Sequence, residues 1–339
     1  VKSVLFLALL LCLFLLLSFV SGPATPFSAW LNVVTLKGGL SGFISDHSSI
    51  LELRVVHILL SCAVGFALAT AGRTMQQLLQ NPLADPHVTG LSAGSTSAVL
   101  LTLLFFPLLA QRLLFGWLPV LWVSAFIGAA GALSILNSLL FRLVRVWGAP
   151  ALALAGLFLN ASFSALLMVV FARLSPAGLT EVQSWTLGAI QPYGLNQALF
   201  LLPMLFIPSF YLMACERQLL LASFGQDFAL TNGVNFIQLR GRILLCLMFL
   251  ASAAVCAAGS IGFVGLLVPH LTRRWMLRCE RPALRPIFNG LAGSFVLLCA
   301  DLLSRTLTQP AELPVGVYTA LLSFPFLVMV LLRHQKGAA

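Results

Sequence analysis

Charge is what this sequence has least of. Only 8% of its 339 residues are Asp, Glu, Lys or Arg, where a soluble domain carries about a quarter. Lysine occurs three times, at Lys2, Lys37 and Lys336, and none follows a glycine. A Walker A loop needs that Gly-Lys pair to hold phosphates, so the chain does not bind ATP in that way. The seven cysteines lie in or beside apolar runs with no Cys-x-x-Cys spacing, which indicates neither a disulfide framework nor a thiolate metal site. There is no His-Glu-x-x-His motif and no pair of intramembrane aspartates, so an intramembrane enzyme is disfavoured. Polar linkers and domain-sized polar blocks are missing as well, so residues 1–339 read as one membrane domain.

What is present is hydrocarbon: 60% hydrophobic residues and a mean hydropathy of +1.03. The chain reads as an all-α polytopic membrane protein with room for about ten helices of ~20 residues. The expected spans are about 4–20, 55–78, 91–109, 118–140, 151–172, 197–214, 243–258, 261–276, 286–303 and 317–332. The first follows Lys2 and competes with a signal peptide; its length favours a retained span. Gly65, Ala69 and Gly72 give the second a small-residue face for close packing. Arg142–Arg145 with Gly148-Ala149-Pro150 reads as a short inner turn, and 173–196 as an outer segment. Trp30, in another outer segment, suits the headgroup level. Counting spans leaves Lys37, Arg54, Arg112, Arg173 and Arg305 on one side and the other fourteen of nineteen cations opposite. That bias places both termini in the cytoplasm and accounts for the net charge of +10 without nucleic acid.

Two stretches interrupt the pattern. Met75–Pro86 joins a Gln/Asn cluster to Asn81-Pro82-Leu83-Ala84-Asp85-Pro86. Proline lacks the backbone donor and restrains its predecessor, and irregular backbone at membrane depth belongs where protein or an aqueous cavity surrounds it. The stretch is either a break at the mouth of a pathway or a simple loop. In 215–242, Leu220, Phe224 and Phe228 recur every four residues, which predicts one short amphipathic helix at a water interface. No Lys or Arg occurs between Gln218 and Leu239, whereas a lipid-surface helix has a cationic face. Docking of a cytoplasmic protein is the better reading.

Intramembrane ionisable groups are functional candidates. Asp301 stands four residues before Arg305, where a local ion pair explains it. His270, next to Pro269, has a backbone acceptor as its simplest partner, and Glu312 reads as an acceptor in an outer turn. Asn160 faces either the pathway or a neighbouring helix.

Four motifs in order, Asn81–Pro86, Leu154-Ala155-Gly156, Gly262-Phe263-Val264-Gly265-Leu266-Leu267-Val268-Pro269-His270 and Glu312-Leu313-Pro314-Val315-Gly316, resemble the FecCD-type permeases of ABC importers for iron-siderophores, haem and vitamin B12. The resemblance covers Arg54 to Arg333. It implies a type II importer permease fold in the bacterial inner membrane. It further implies a second permease subunit (identical or a close paralogue), two cytoplasmic ATPases carrying ATP and Mg, and a periplasmic or lipid-anchored binding protein. No cofactor is implied on this chain. Asn81, Pro82 and Leu83 fall at the family's inner gate, with Gly148 and Ala149 at the companion turn. Leu219–Phe236 resembles the coupling helices, placing Leu220, Phe224, Gly225, Asp227, Phe228, Ala229 and Gly233 against the ATPase. Arg54 and Arg305, with His57, correspond to binding-protein docking positions. Spans five and ten correspond to pathway helices carrying Asn160, Ser164 and Phe324. The sequence departs from the pattern at His57, Gln226, Asn232 and Ser323-Phe324. The competing function is a proton-coupled carrier using Asp301 or His270.

Overall fold

The computed structural model describes residues 2–20, 48–87, 89–110, 112–114, 118–147, 150–173, 176–191, 193–224, 226–277, 283–307 and 313–325. Its helices, in chain order, are α1 (Lys2–Val20), α2 (Ser48–Leu78), α3 (Leu91–Phe105), α4 (Pro107–Ala110), α5 (Val120–Trp147), α6 (Pro150–Phe171) and α7 (Pro176–Leu187). They continue with α8 (Leu195–Ala214), α9 (Glu216–Ser223), α10 (Gln226–Thr231), α11 (Phe236–Ala258), α12 (Val264–Leu277), α13 (Leu284–Thr306) and α14 (Val315–Pro325). Among the described residues a helix overlaps each expected span, the tenth as far as Pro325. Five of them, within α2, α6, α8, α11 and α13, are long and apolar enough on their own to cross a membrane.

Helix α2 is the hub, with α8, α11, α12 and α13 all packed on it. Close approach rests on glycine. A side chain at Gly65 would strike the Gly293 backbone of α13, and one at Gly72 the Gly265 backbone of α12. The small face predicted for this span is therefore the packing face. Hydrogen bonds lock the same contacts: Asn289 Nδ2 donates to Ala69 O (2.8 Å), and Thr272 Oγ1 donates to Asn289 Oδ1 (3.0 Å). Polar side chains in these spans thus find partners across helices, as hydrocarbon surroundings require.

Four expectations change. The inner turn at Arg142–Arg145 is helical, because α5 runs on to Trp147. The outer segment 173–196 contains α7 and folds into the protein. Ser260 donates its N–H to Trp185 O (2.8 Å), Gln191 N–H donates to Ala257 O (3.0 Å), and Tyr193 Oη–H donates to Cys256 O (2.9 Å). The single amphipathic helix at 215–242 is two helices, α9 and α10. A two-residue antiparallel ribbon, β1 (Leu113–Leu114) with β2 (Leu118–Pro119), supplements the helices. Trp30, Gly148, Ala149, Gly225 and Glu312 lie outside the described residues.

Candidate functional site: a re-entrant turn tied to an inward-anchored helix

The sequence break after α2 is built from standard parts. Asn81 N–H donates to Gln76 O (3.2 Å) and Gln80 N–H to Gln77 O (3.4 Å), the two bonds of a Schellman stop. The residue at its left-handed position is Gln80, with φ of 48°, where glycine is usual and any side chain costs about 1–2 kcal/mol. Asn81 then opens a turn with Pro82 at its second position: Ala84 N–H donates to Asn81 O (3.1 Å) and Leu83 N–H to Asn81 Oδ1 (2.9 Å). The Asn81 side chain is thereby spent on holding the turn. Leu83 projects from it, 44% exposed.

Past Leu83 the chain turns back into the protein. Ala84, Asp85, Pro86, Thr89 and Gly90 are buried. Asp85 Oδ1 accepts from His87 N–H (3.0 Å), and its carboxylate also accepts from the Leu266 N–H at the start of α12. A carboxylate at a helix N-terminus satisfies orphan donors and meets the positive end of the helix dipole. Since Gly265 packs on Gly72, six residues before the end of α2, Asp85 lies about 9 Å back along that helix. Gly90 then rests on Leu159 and Asn160 in the middle of α6. The Asn81–Pro86 and Gly262–His270 motifs, far apart in sequence, therefore form one re-entrant unit. Its irregular backbone is buried in protein, as membrane depth demands.

The unit has two components that the sequence reading missed. Phe263, just before α12, has φ of 69° and is 44% exposed; a bulky residue in that region is a strained outlier. His87 Nδ1 sits 3.4 Å from Ser260 Oγ, with its ring against Gly262. Helix α14 joins through Thr319 Oγ1, which donates to Gly262 O (3.3 Å). No spacing rule marks Phe263, because its strain is a backbone property.

Helix α9 hangs directly from this unit. Gln80 Nε2 donates to Ser223 O (3.3 Å), linking the strained residue to the last residue of α9. Arg73 on α2 donates Nη2–H to Glu216 Oε1 at the start of α9, and Nη1–H to Met276 Sδ (2.7 Å) on α12. Leu219 and Ala222 anchor α9 inward, while Leu220, Phe224 and Phe228 are exposed. The Phe224 and Phe228 rings meet edge-on at 5.7 Å, giving the amphipathic stripe a paired aromatic tip. Ala229 is fully buried and faces the permease itself, which corrects its reading as an ATPase contact. Gly233 closes α10 with φ of 78°, through Gly233 N–H to Leu230 O and Val234 N–H to Ala229 O (both 2.9 Å); it is a helix stop. Asp227 lies within α10. Cys215 joins α8 to α9, and burial pushes its thiol pKa up, against opposing effects of Tyr211 and Arg242.

The expected docking residues are inside. Arg54 and Arg305 are buried, and His57 is half-buried. Arg305 Nη2 donates to Asp301 Oδ2 (2.6 Å) and to Ser18 Oγ of α1 (2.7 Å), and His57 Nδ1 lies 3.4 Å from Asp301 Oδ1. Asp301 is 1% exposed. A buried guanidinium needs a counter-charge, so these groups bind α1, α2 and α13 together and do not form an open surface. His270 Nδ1 lies 2.9 Å from Leu266 O, a backbone partner one turn back. Asn160 is half-exposed and Ser164 exposed on α6, and Phe324 on α14 is 69% exposed. One Gly-x-Ser-x-Gly pattern occurs, Gly90–Gly94. Its serine, Ser92, is buried in the first turn of α3 after a turn and not after a strand, unlike a nucleophile elbow.

Comparison with known proteins places this geometry. The hemin transport system permease protein HmuU of Yersinia pestis is 36% identical over 302 residues, covering 84% of each chain. The vitamin B12 import system permease protein BtuC of Vibrio cholerae is 31% identical over 314 residues, covering 92% of this chain and 88% of that one. The iron(3+)-hydroxamate import system permease protein FhuG of Bacillus subtilis is 32% identical over 292 residues, 86% of each. A solved structure described as an inward-facing conformation of a metal-chelate type ABC transporter superposes with a TM-score of 0.77 at 26% identity, covering 97% of this chain and 98% of that one. The model of the FecCD transport family matches residues 8–333. With its helical fold and nearly its whole length matched, the chain belongs to the FecCD transport family, as a membrane permease.

Proposed function

We propose that this chain is the permease subunit of an ABC importer that carries a bulky metal chelate into the cytoplasm by alternating access. An iron-siderophore is the first cargo to test, with haem and cobalamin next. The observation that carries the reading is the tether between Ser223 on α9 and Gln80 at the re-entrant turn, reinforced by the Arg73–Glu216 pair. Force applied at the exposed Leu220, Phe224 and Phe228 reaches Leu83 through residues in direct contact. The ATPase that applies it is a separate cytoplasmic chain holding ATP and Mg, two copies per transporter, and this chain needs no cofactor.

The exposed rows of α6 (Leu157, Phe158, Ser164) and α14 (Leu321, Phe324) suit a second permease, a copy or a close paralogue, enclosing a pathway between them. A periplasmic or lipid-anchored protein would deliver the chelate on the outer face. The cation asymmetry supports a bacterial inner membrane orientation with both termini cytoplasmic. Asp301 is paired with Arg305 and His270 has a backbone partner, which favours structural roles for both over the carrier alternative.

The test is ATPase activity of the permease with its candidate ATPase in liposomes, with and without the binding protein. Phe228→Arg and Asp227→Lys should abolish stimulation by the binding protein. Uptake of substrate with no ATPase present would overturn the reading in favour of a secondary carrier.

A further inference from the structure

Among the described residues from Ala84 to Gly90, only His87 reaches the surface of the re-entrant turn: it is half-exposed, and the others are buried. Its ring lies against Gly262, and the next residue, Phe263, is 44% exposed in a left-handed backbone conformation. Both stand deep in the membrane. Arg274, an exposed cation in the last turn of α12, marks the inner boundary. Phe263, eleven residues earlier, lies about 16 Å further in, near the middle of a ~30 Å hydrocarbon core.

A half-exposed imidazole at that depth is costly against lipid, so the surface it opens onto is a polar path. Its flanks agree. On one side Gly90 rests on Leu159 and Asn160 of α6, and on the other Thr319 of α14 donates to Gly262 O. These are the two helices that, in the proposed function, enclose the pathway with a second permease. His87 Nδ1 is 3.4 Å from Ser260 Oγ, and Nε2 has no hydrogen-bond partner among the described residues. The Asp85 carboxylate acts on the ring electrostatically, while its oxygens are taken by backbone N–H groups. Phe263 keeps a backbone conformation that glycine would relieve, and such outliers gather at functional sites.

We infer that His87 and Phe263 form a cargo-contact station halfway along the pathway. Ser260 Oγ–H donates to Nδ1, which leaves the imidazole proton on Nε2 to hydrogen-bond an oxygen of the chelate. Phe263 packs on the chelate's apolar body. The matching cargo carries peripheral carboxylate, catecholate or hydroxamate oxygens. The inference rests on the proposed function for the pathway and adds the chemistry by which cargo is recognised inside it.

The experiment has two arms, both on the permease assembled with its candidate ATPase in liposomes. In the first, His87→Cys and Phe263→Cys meet a membrane-impermeant, charged methanethiosulfonate, and the wild-type rate is subtracted. Each should react roughly tenfold faster than Ile127→Cys, in an all-apolar groove of α5, α8 and α11, because only a hydrated thiol ionises to the reactive thiolate. Rates as slow as that of Ile127→Cys would overturn the inference. In the second arm, ATP-driven uptake of ferrichrome, ferric enterobactin and haemin is measured with the binding protein present. For any chelate that wild type takes up, His87→Ala should lower uptake at subsaturating chelate about tenfold, the worth of one hydrogen bond to a charged group. His87→Gln keeps an N–H donor near the Nε2 position and should stay within about twofold of wild type, which separates a lost donor from a lost fold. Undiminished uptake by His87→Ala would overturn the inference. Uptake by His87→Gln as poor as that of His87→Ala would overturn the hydrogen bond in favour of metal coordination. Failure of wild type to take up any chelate would count against the proposed function, and the first arm would still decide whether the station lines an aqueous path.

Discussion

At Gln80 the side chain and the backbone want different things. The left-handed backbone favours glycine, while the amide holds Ser223. Gln80→Gly should therefore raise permease stability by about 1 kcal/mol, measured by chemical denaturation, and at the same time weaken binding-protein-stimulated ATPase activity. A variant that is less stable would show that the backbone is unstrained there. Asp85 presents the opposite case, in which the side chain is wholly structural. Asp85→Ala leaves the buried His87 and Leu266 N–H groups without their acceptor, at about 1–3 kcal/mol each. Asp85→Asn keeps one acceptor oxygen and should cost markedly less in the same assay. At this scale the sequence was an uneven guide. Asn81, Pro82 and Leu83 stood out because proline and asparagine have fixed turn chemistry. The strain at Phe263 and the burial of Arg54 and Arg305 did not, since both depend on contacts that only the fold creates.

Among the elements, α9 is the one whose attachment would transmit motion on the proposed function. It is fixed by an ion pair at its first turn and a side-chain amide at its last residue. Glu216→Gln should leave basal ATPase activity of the complex near normal and cut transport several-fold. The charge swap Arg73→Glu with Glu216→Arg should recover part of the loss, and a double-mutant cycle without coupling would remove the pair from the pathway. Cys215 reports on the same attachment. Its thiol titrates above the ordinary range because it is buried, and the thiolate is the reactive form. Alkylation should therefore stay slow at neutral pH and keep accelerating at pH values where an exposed cysteine has levelled off. Periodicity revealed the exposed face of this region. It did not reveal that α9 and α10 are separate helices, because the four-residue spacing of Leu220, Phe224 and Phe228 carries across the break.

For the whole molecule, α6 and α8 are equally sparsely covered among the long spans, and on the proposed function it is α6, with α14, on which assembly should rest. Leu157→Arg or Phe158→Arg should shift the purified permease from dimer to monomer in detergent, read by light scattering, while the charged variant of an already buried face would only unfold it. The family and its helical layout were legible in sequence because hydropathy and four short motifs span nearly the chain. The union of two of those motifs was not, since Gln76 donates to Gly265 O (3.4 Å) across 189 residues. That separation also has a timetable. At synthesis rates of about 5–20 residues per second, roughly 10–40 s pass between the emergence of the re-entrant turn and the arrival of α12. Throughout that interval Asp85 lacks its partner on the later helix. The membrane insertion machinery must therefore shelter an unfinished turn, and a chain truncated before α12 would be a quality-control substrate even with its first spans correctly placed.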